Sequence, residues 1–181
     1  MNTKETRRSI SKRVSAIVAV TVVLLLPAFF SGCGYQMVTG KGIYGGEISS
    51  LYVPVFKNKS YEPHASMYVT DAFTRELMDT GLFTMNKEGS DAYLEGLIKA
   101  IRKYPYTVNQ AGFVSEKRVD IYVELTLYRN NGVMIRKWNL KDYETYRVDN
   151  LNYEESYLQE ALGKVSGRLA RRFSAALLME Y

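Results

Sequence analysis

Four pairs of adjacent cations, Arg102-Lys103, Lys117-Arg118, Arg136-Lys137 and Arg171-Arg172, are the residues of this chain best suited to chemistry. That chemistry is anion binding, because guanidinium and ammonium groups make charge-assisted hydrogen bonds to phosphate and carboxylate oxygens. The first two pairs flank the segment from Tyr104 to Glu116. If the flanking segments pair as antiparallel strands, four positive groups converge at one end of a sheet. Tyr104, Tyr106 and Phe113 stand beside them and offer rings to acyl or sugar surface. For any one pair taken alone, a solvated strand end or helix face is the commoner role.

Covalent catalysis and metal chemistry find little support. His64 is the only histidine, beside Glu62 and Pro63 at the start of a helical pattern, and reads as a surface or capping residue rather than a zinc ligand. No glycine-rich phosphate loop, nucleophile-elbow serine or spaced histidine and carboxylate set occurs. Glu154 and Glu155 are adjacent on a predicted helix, so they point apart and serve its N-terminus better than acid–base work. The expectation is a protein that is not an enzyme and has neither bound metal nor dissociable cofactor.

Cys33 is the only cysteine, and its surroundings assign it a different role. Lys4, Arg7, Arg8, Lys12 and Arg13 precede an apolar run from Val14 to Phe30, broken near its end by Pro27 and then by Ser31-Gly32. This is a secretory signal pattern, and the small residues before Cys33 resemble a bacterial lipobox, with Phe30 where leucine is usual. Residues 1–32 are therefore expected to be a cleaved signal peptide. Cys33 would become the lipid-attachment site, carrying diacylglyceryl and N-acyl groups. Two or three acyl chains hold a small domain stably at a bilayer where one does not. Removing the signal segment takes five of the 24 Lys and Arg but one of the 19 Asp and Glu, leaving 19 and 18. The sequence pI near 9.2 thus belongs largely to the signal segment, and no bulk-charge argument for nucleic acid survives.

The remaining 149 residues suit a single domain. Residues 33–47 are glycine-rich and read as an acylated tether; 48–181 form the folded domain. Ser50 to Phe56 alternates Leu51, Val53 and Val55 against Tyr52, Pro54 and Phe56, a first strand in which Pro54 favours an edge or an irregularity. A helix follows from His64, with Val69, Ala72, Phe73 and Leu77 on one face and Gly81 to end it. Tyr93 to Tyr104 is a second strand, closed by Pro105. Arg118 to Arg129 is the clearest strand: Val119, Ile121, Val123, Leu125 and Leu127 point one way, and Arg118, Asp120, Tyr122, Glu124, Thr126 and Tyr128 the other. Asn130-Asn131-Gly132 turns the chain into a fourth strand around Val133 to Tyr143. A last helix begins with Asn152 as N-cap and carries a stripe of Leu158, Leu162, Val165, Leu169, Phe173 and Ala176. The predicted fold class is α+β: a two-layer sandwich with two helices on one face of a roughly four-stranded mixed sheet.

On Cys33-Gly34-Tyr35, on Tyr52 to Pro63 (YVPVFKNKSYEP) and on this strand and helix order, the chain resembles the lipopolysaccharide-assembly lipoprotein family LptE. The resemblance spans essentially the whole mature domain, with Gln36 where members often carry histidine. It implies an outer-membrane lipoprotein, lipid-anchored on the periplasmic side, that plugs the lumen of the β-barrel LptD. Such a protein helps to assemble the barrel and assists lipopolysaccharide insertion into the outer leaflet. Under that reading Lys117 and Arg118, then Arg102 and Lys103, are the lipopolysaccharide-binding candidates. Tyr122, Glu124, Thr126 and Tyr128 are the partner-facing candidates. A second reading shares the anchor, fold and aromatic surface: a lipoprotein that scaffolds or pilots another envelope complex without binding lipopolysaccharide.

Overall fold

The computed structural model describes residues 42–150 and 152–179; Cys33 and the signal segment lie outside the described residues. The elements are β1 (Ser50–Tyr52), β2 (Lys57–Asn58), α1 (Ala65–Asp79), β3 (Thr84–Met85), β4 (Ala92–Val108), β5 (Val114–Arg129), β6 (Met134–Arg147) and α2 (Glu154–Leu178). The sheet order is β3-β1-β4-β5-β6, with β2 continuing the line of β1 along β4. Pairs among β1, β2, β3 and β4 are parallel; β4, β5 and β6 form an antiparallel meander. The fold class is α+β as expected, but the sheet has six strands rather than four. The two additions are two residues each, too short to leave a period of their own.

Both helices cover the sheet face that carries Val119, Ile121, Val123, Leu125 and Leu127. The α1 stripe Val69, Phe73 and Leu77 and the α2 stripe Leu158, Leu162, Val165, Leu169 and Phe173 are buried there. Burial of each such side chain contributes about 1.5–3 kcal/mol relative to exposure. A chain of rings ties the layers: Phe56 to Phe73 at 5.4 Å, Phe73 to Phe173 at 5.7 Å, and Phe173 edge-on to Trp138 at 5.1 Å. The stripes predicted for both helices are the ones buried.

Several local expectations are corrected. The first strand is interrupted after Tyr52, and five steps along this line (52 to 57) match four on β4 (93 to 97). The extra residue around Pro54 reverses the phase, so Phe56 joins Leu51 in the core while Val55 is exposed. A second bulge in β4 leaves Lys99 unpaired between Ile98 and Ala100. Ile98 and Ile101 therefore lie on the helix side together, where strict alternation would separate them. Pro105 does not end β4; it stands opposite Lys117, beyond the reach of β1 and β2, where its missing N–H leaves no ladder bond unmade.

The α2 N-cap is Tyr153, without a side-chain cap, because the Asn150 carboxamide oxygen accepts from the N–H of Asn152 in the preceding turn. Glu154 and Glu155 occupy the first turn, as the helix dipole favours. The expected tether is tied down at its end: Ile43 and Ile48 bridge one another and are buried in the core. His64 precedes α1 in a left-handed conformation and its side chain makes no cap bond, which leaves it a surface histidine. Among the described residues no helix is long and apolar enough to cross a membrane.

Candidate functional site

Alternation divides the four candidate cations. Arg102 and Arg118 stand on the uncovered sheet face, while Lys103 and Lys117 point to the helix side. The single four-cation cluster is therefore not formed, because consecutive strand residues face opposite ways. On the helix side Lys103 donates to Glu62 at 2.8 Å and Lys117 to Glu154 at 2.7 Å. Tyr146, the register partner of Lys117, lies buried near both carboxylates. Burial first, then Glu154, Glu62 and Glu155, pushes its phenol up to about 12.

The uncovered face is an ordered lattice of charge and aromatic rings on β4, β5 and β6. Arg118 holds Asp120 through Nε to Oδ1 at 2.6 Å and Nη2 to Oδ2 at 3.1 Å, and Lys141 approaches the same carboxylate at 3.3 Å. Burial pushes the Asp120 carboxyl up, but the two cations more than offset it and hold it below its ordinary value. The Arg118 guanidinium also lies 3.7 Å over the Tyr143 ring. Glu124 accepts from Lys137 at 2.7 Å and from Lys99 at 2.8 Å, which holds its carboxyl at about 2. Tyr128 stacks on Tyr93 with centroids 5.1 Å apart. Thr126 is buried between its register partners Glu95 and Lys137.

Tyr122 stands at the centre. Arg102 lies 5.3 Å and Lys141 4.8 Å from its ring centroid, within cation–π range. Next to it, where the bulge at Lys99 loosens the ladder, the face opens into a depression of about 370 Å³. Lys99, Arg102, Tyr122, Asn139, Leu140 and Lys141 are among the residues that line it. The Tyr104 phenol, then Tyr122, lead the causes that raise the Arg102 guanidinium further.

The sequence reading assigned Arg102 and Tyr122 but missed Lys99, Asn139 and Lys141. A period-two reading of Lys137, Asn139 and Lys141 along the fourth strand would have put those three on this face. At the far end of the β4–β5 hairpin, Tyr106, Val108 and Phe113 are exposed around a turn in which Asn109 Oδ1 accepts from the N–H groups of Ala111 and Phe113. Two more basic residues are structural at the β6 edge: Arg168 donates to Asp142 at 2.8 Å and Glu144 at 2.6 Å, and Arg172 to the Lys141 carbonyl at 3.0 Å. No group of three or more histidine, cysteine or acidic residues is placed to hold a metal among the described residues.

Comparison with solved structures finds the same fold in a hypothetical protein from Chlamydia trachomatis, at 9% identity, TM-score 0.52 and coverage of 76% of this chain and 95% of that one. Weaker likenesses include a minor lipoprotein from Acinetobacter baumannii, at 14% identity, TM-score 0.45 and coverage of 70% and 93%. Rare lipoprotein B from Shewanella oneidensis follows at 11%, 0.43, and 67% and 94%. No curated protein matches the sequence. The lipopolysaccharide-assembly family LptE matches residues 48–177, which takes in every strand and nearly all of α2. The chain therefore belongs to the LptE family of lipopolysaccharide-assembly lipoproteins.

Proposed function

We propose that this lipoprotein, anchored in the outer membrane through acyl groups on Cys33, plugs the lumen of the β-barrel LptD, helps to assemble it and assists lipopolysaccharide insertion into the outer leaflet. The role is non-catalytic. The observation that carries the reading is the uncovered face of β4, β5 and β6, which is polar, aromatic and internally paired. A plug in a wet barrel needs a wall-facing surface of that kind, able to exchange hydrogen bonds without exposing a greasy patch. Tyr122, Glu124 and Tyr128 present it, with Thr126 beneath them.

Of the four cations proposed for lipopolysaccharide, Arg102 leads. Its partners are the phenols of Tyr104 and Tyr122, whereas Lys103, Lys117 and Arg118 each have a carboxylate. The test is purification of the acylated protein from detergent-solubilised outer membrane, with mass identification of stoichiometric partners. A large β-barrel at one-to-one is the expected result. Recovery of a secretin or of another envelope machine in its place would overturn the reading.

A further inference from the structure

We propose that the outer edge of β6, between Lys137 and Lys141, receives an extended acidic segment of a partner protein as an added strand. Val148, just past β6, donates its N–H to the Ser115 carbonyl. In this ladder the even-numbered residues from Arg136 to Val148 therefore pair inward with β5, and the odd-numbered ones turn their N–H and C=O groups outward. Side chains meet those outward groups at Tyr143, whose N–H donates to Asp142 Oδ1 and whose carbonyl accepts from Arg168. Arg172 closes the Lys141 carbonyl in the same way, at 3.0 Å. The middle of the edge is thus blunted. The N–H and C=O of Lys137 and Asn139 and the N–H of Lys141 point away from β5 with no partner among the described residues.

Such a row of open main-chain groups is a template for another strand, and charge selects which one. Lys137 and Lys141 stand beside it on the uncovered face. They share Glu124 and Asp120 with Lys99 and Arg118, so four cations have two carboxylates between them. Arg172 reaches the edge from the helix side, and its charge meets a carbonyl rather than a carboxylate. A second copy of this chain fits badly. Two β6 edges related by a two-fold axis at Asn139 would set Lys137 opposite the other copy's Lys141, and like charges directly opposite destabilise a pair. Acidic side chains meet the same lysines favourably. On the helix side of this stretch Trp138 and Leu140 are only partly buried and offer a flank to apolar side chains. The fitting segment alternates Asp or Glu with β-branched residues, held by main-chain bonds and read by every second side chain.

The acylated full-length protein in neutral detergent is titrated with the synthetic peptide acetyl-Ser-Glu-Val-Glu-Val-Glu-Ser-amide and with its counterpart carrying Lys at each Glu. Trp138 is the only tryptophan, so its emission reports what covers this edge. The acidic peptide is expected to saturate and to shift the emission to the blue; the basic one is expected to leave it unchanged. Asn139→Pro removes an outward N–H without touching the ladder with β5, and should weaken binding roughly tenfold, on the scale of one hydrogen bond. Asn139→Ala keeps that N–H and should bind as the parent does. Lys141→Gln should weaken binding about threefold, as the loss of one exposed ion pair does.

No response to the acidic peptide, an equal response to the basic one, or parental affinity in Asn139→Pro would overturn the assignment. Circular dichroism of Asn139→Pro separates a lost bond from a lost fold. The parent protein supplies a second check, since N-methylation of the peptide's central Glu should abolish binding; persistence of binding would also reject strand addition. A disulfide-linked dimer of Asn139→Cys would give the edge to a second copy and overturn the acidic partner. Capture of the barrel is read independently of all four.

Discussion

The ring of Phe56 lies directly on Gly96. A Cβ at that glycine would come within 2.2 Å of the ring's Cγ, so the absence of a side chain on β4 is what admits the ring into the core. Phe56 is fixed from the other side by its N–H, which donates to Thr70 Oγ1 on α1 at 2.9 Å. Gly96→Ala should therefore cost about 1–3 kcal/mol through overpacking. Combining it with Phe56→Leu should cost less than the two changes summed, which urea unfolding of the four species would measure. Strict additivity would mean that the ring and the strand do not constrain one another.

Asp91 joins β1 to the start of β4. Its Oδ2 accepts from the hydroxyl and N–H of Ser50 at 2.8 and 2.9 Å and from the N–H and hydroxyl of Ser49 at 3.0 and 3.1 Å. The Ser50 hydroxyl leads the causes that hold the carboxyl at about 2, against an ordinary 3.8. Because the folded value is the lower one, this contribution to stability is complete above about pH 4 and is lost as pH falls through 2. Asp91→Asn should lower the thermal midpoint at pH 7 and flatten its dependence between pH 4 and 2. A mutant curve parallel to the parent's would reject the linkage.

Gly163 and Gly167 are the two glycines of α2. A Cβ at Gly163 meets nothing within 4 Å, and one at Gly167 just reaches the Arg171 side chain at 4.0 Å. The isolated domain gains nothing from either being glycine. Gly163→Ala should stabilise it by about 1 kcal/mol, the helix-propensity difference, in chemical denaturation. A loss of stability would show that this face of α2 is occupied.

Phe173 is the link between α1 and the sheet, touching both Phe73 and Trp138. Phe173→Ala should cost about 3–5 kcal/mol. Trp138 is the only tryptophan in the chain, so its emission should shift to the red in the native state of the variant. An unchanged emission would place the new cavity away from the indole.

Charge reversal at Arg118 affects the fold before it can report on a ligand. Asp120, with 4% of its side chain exposed, would face a new carboxylate in place of its best partner. Arg118→Glu should lower the thermal midpoint clearly more than Lys164→Glu does, and adding Asp120→Asn should recover part of the loss. An unperturbed midpoint would free Arg118 for the ligand-contact role first given to it.

Periodicity made the middle of the fold legible and phase breaks hid the rest. The alternation from Val119 to Leu127 and the stripes of both helices are long enough to outweigh local exceptions, so the layers and the covered face follow from them. The reversals at Pro54 and Lys99 each rest on one surplus residue, which a pattern count absorbs as noise. β2 and β3 owe their conformation to β4 and β1 rather than to their own residues. At the site, residue type was readable and grouping was not: Arg102-Lys103 and Lys117-Arg118 look like clusters in sequence, yet the pleat sends one member of each pair to either side. Glu62 and Glu154 lie far off in the chain, and their pairing with Lys103 and Lys117 left no mark there.

The unpaired Lys99 sets a different kind of constraint on β4. The phase break is counted rather than recognised, since any residue there would supply it, while the ammonium is what reaches Glu124 and Asn139. Deleting Lys99 would seat Ala100 next to Ile98 in a regular ladder against Tyr122 and Val123, erasing the bulge while Ile101 and Lys103 stay on the helix side and Arg102 on the open one. The loss of one residue at this position of the chain leaves core and surface in place.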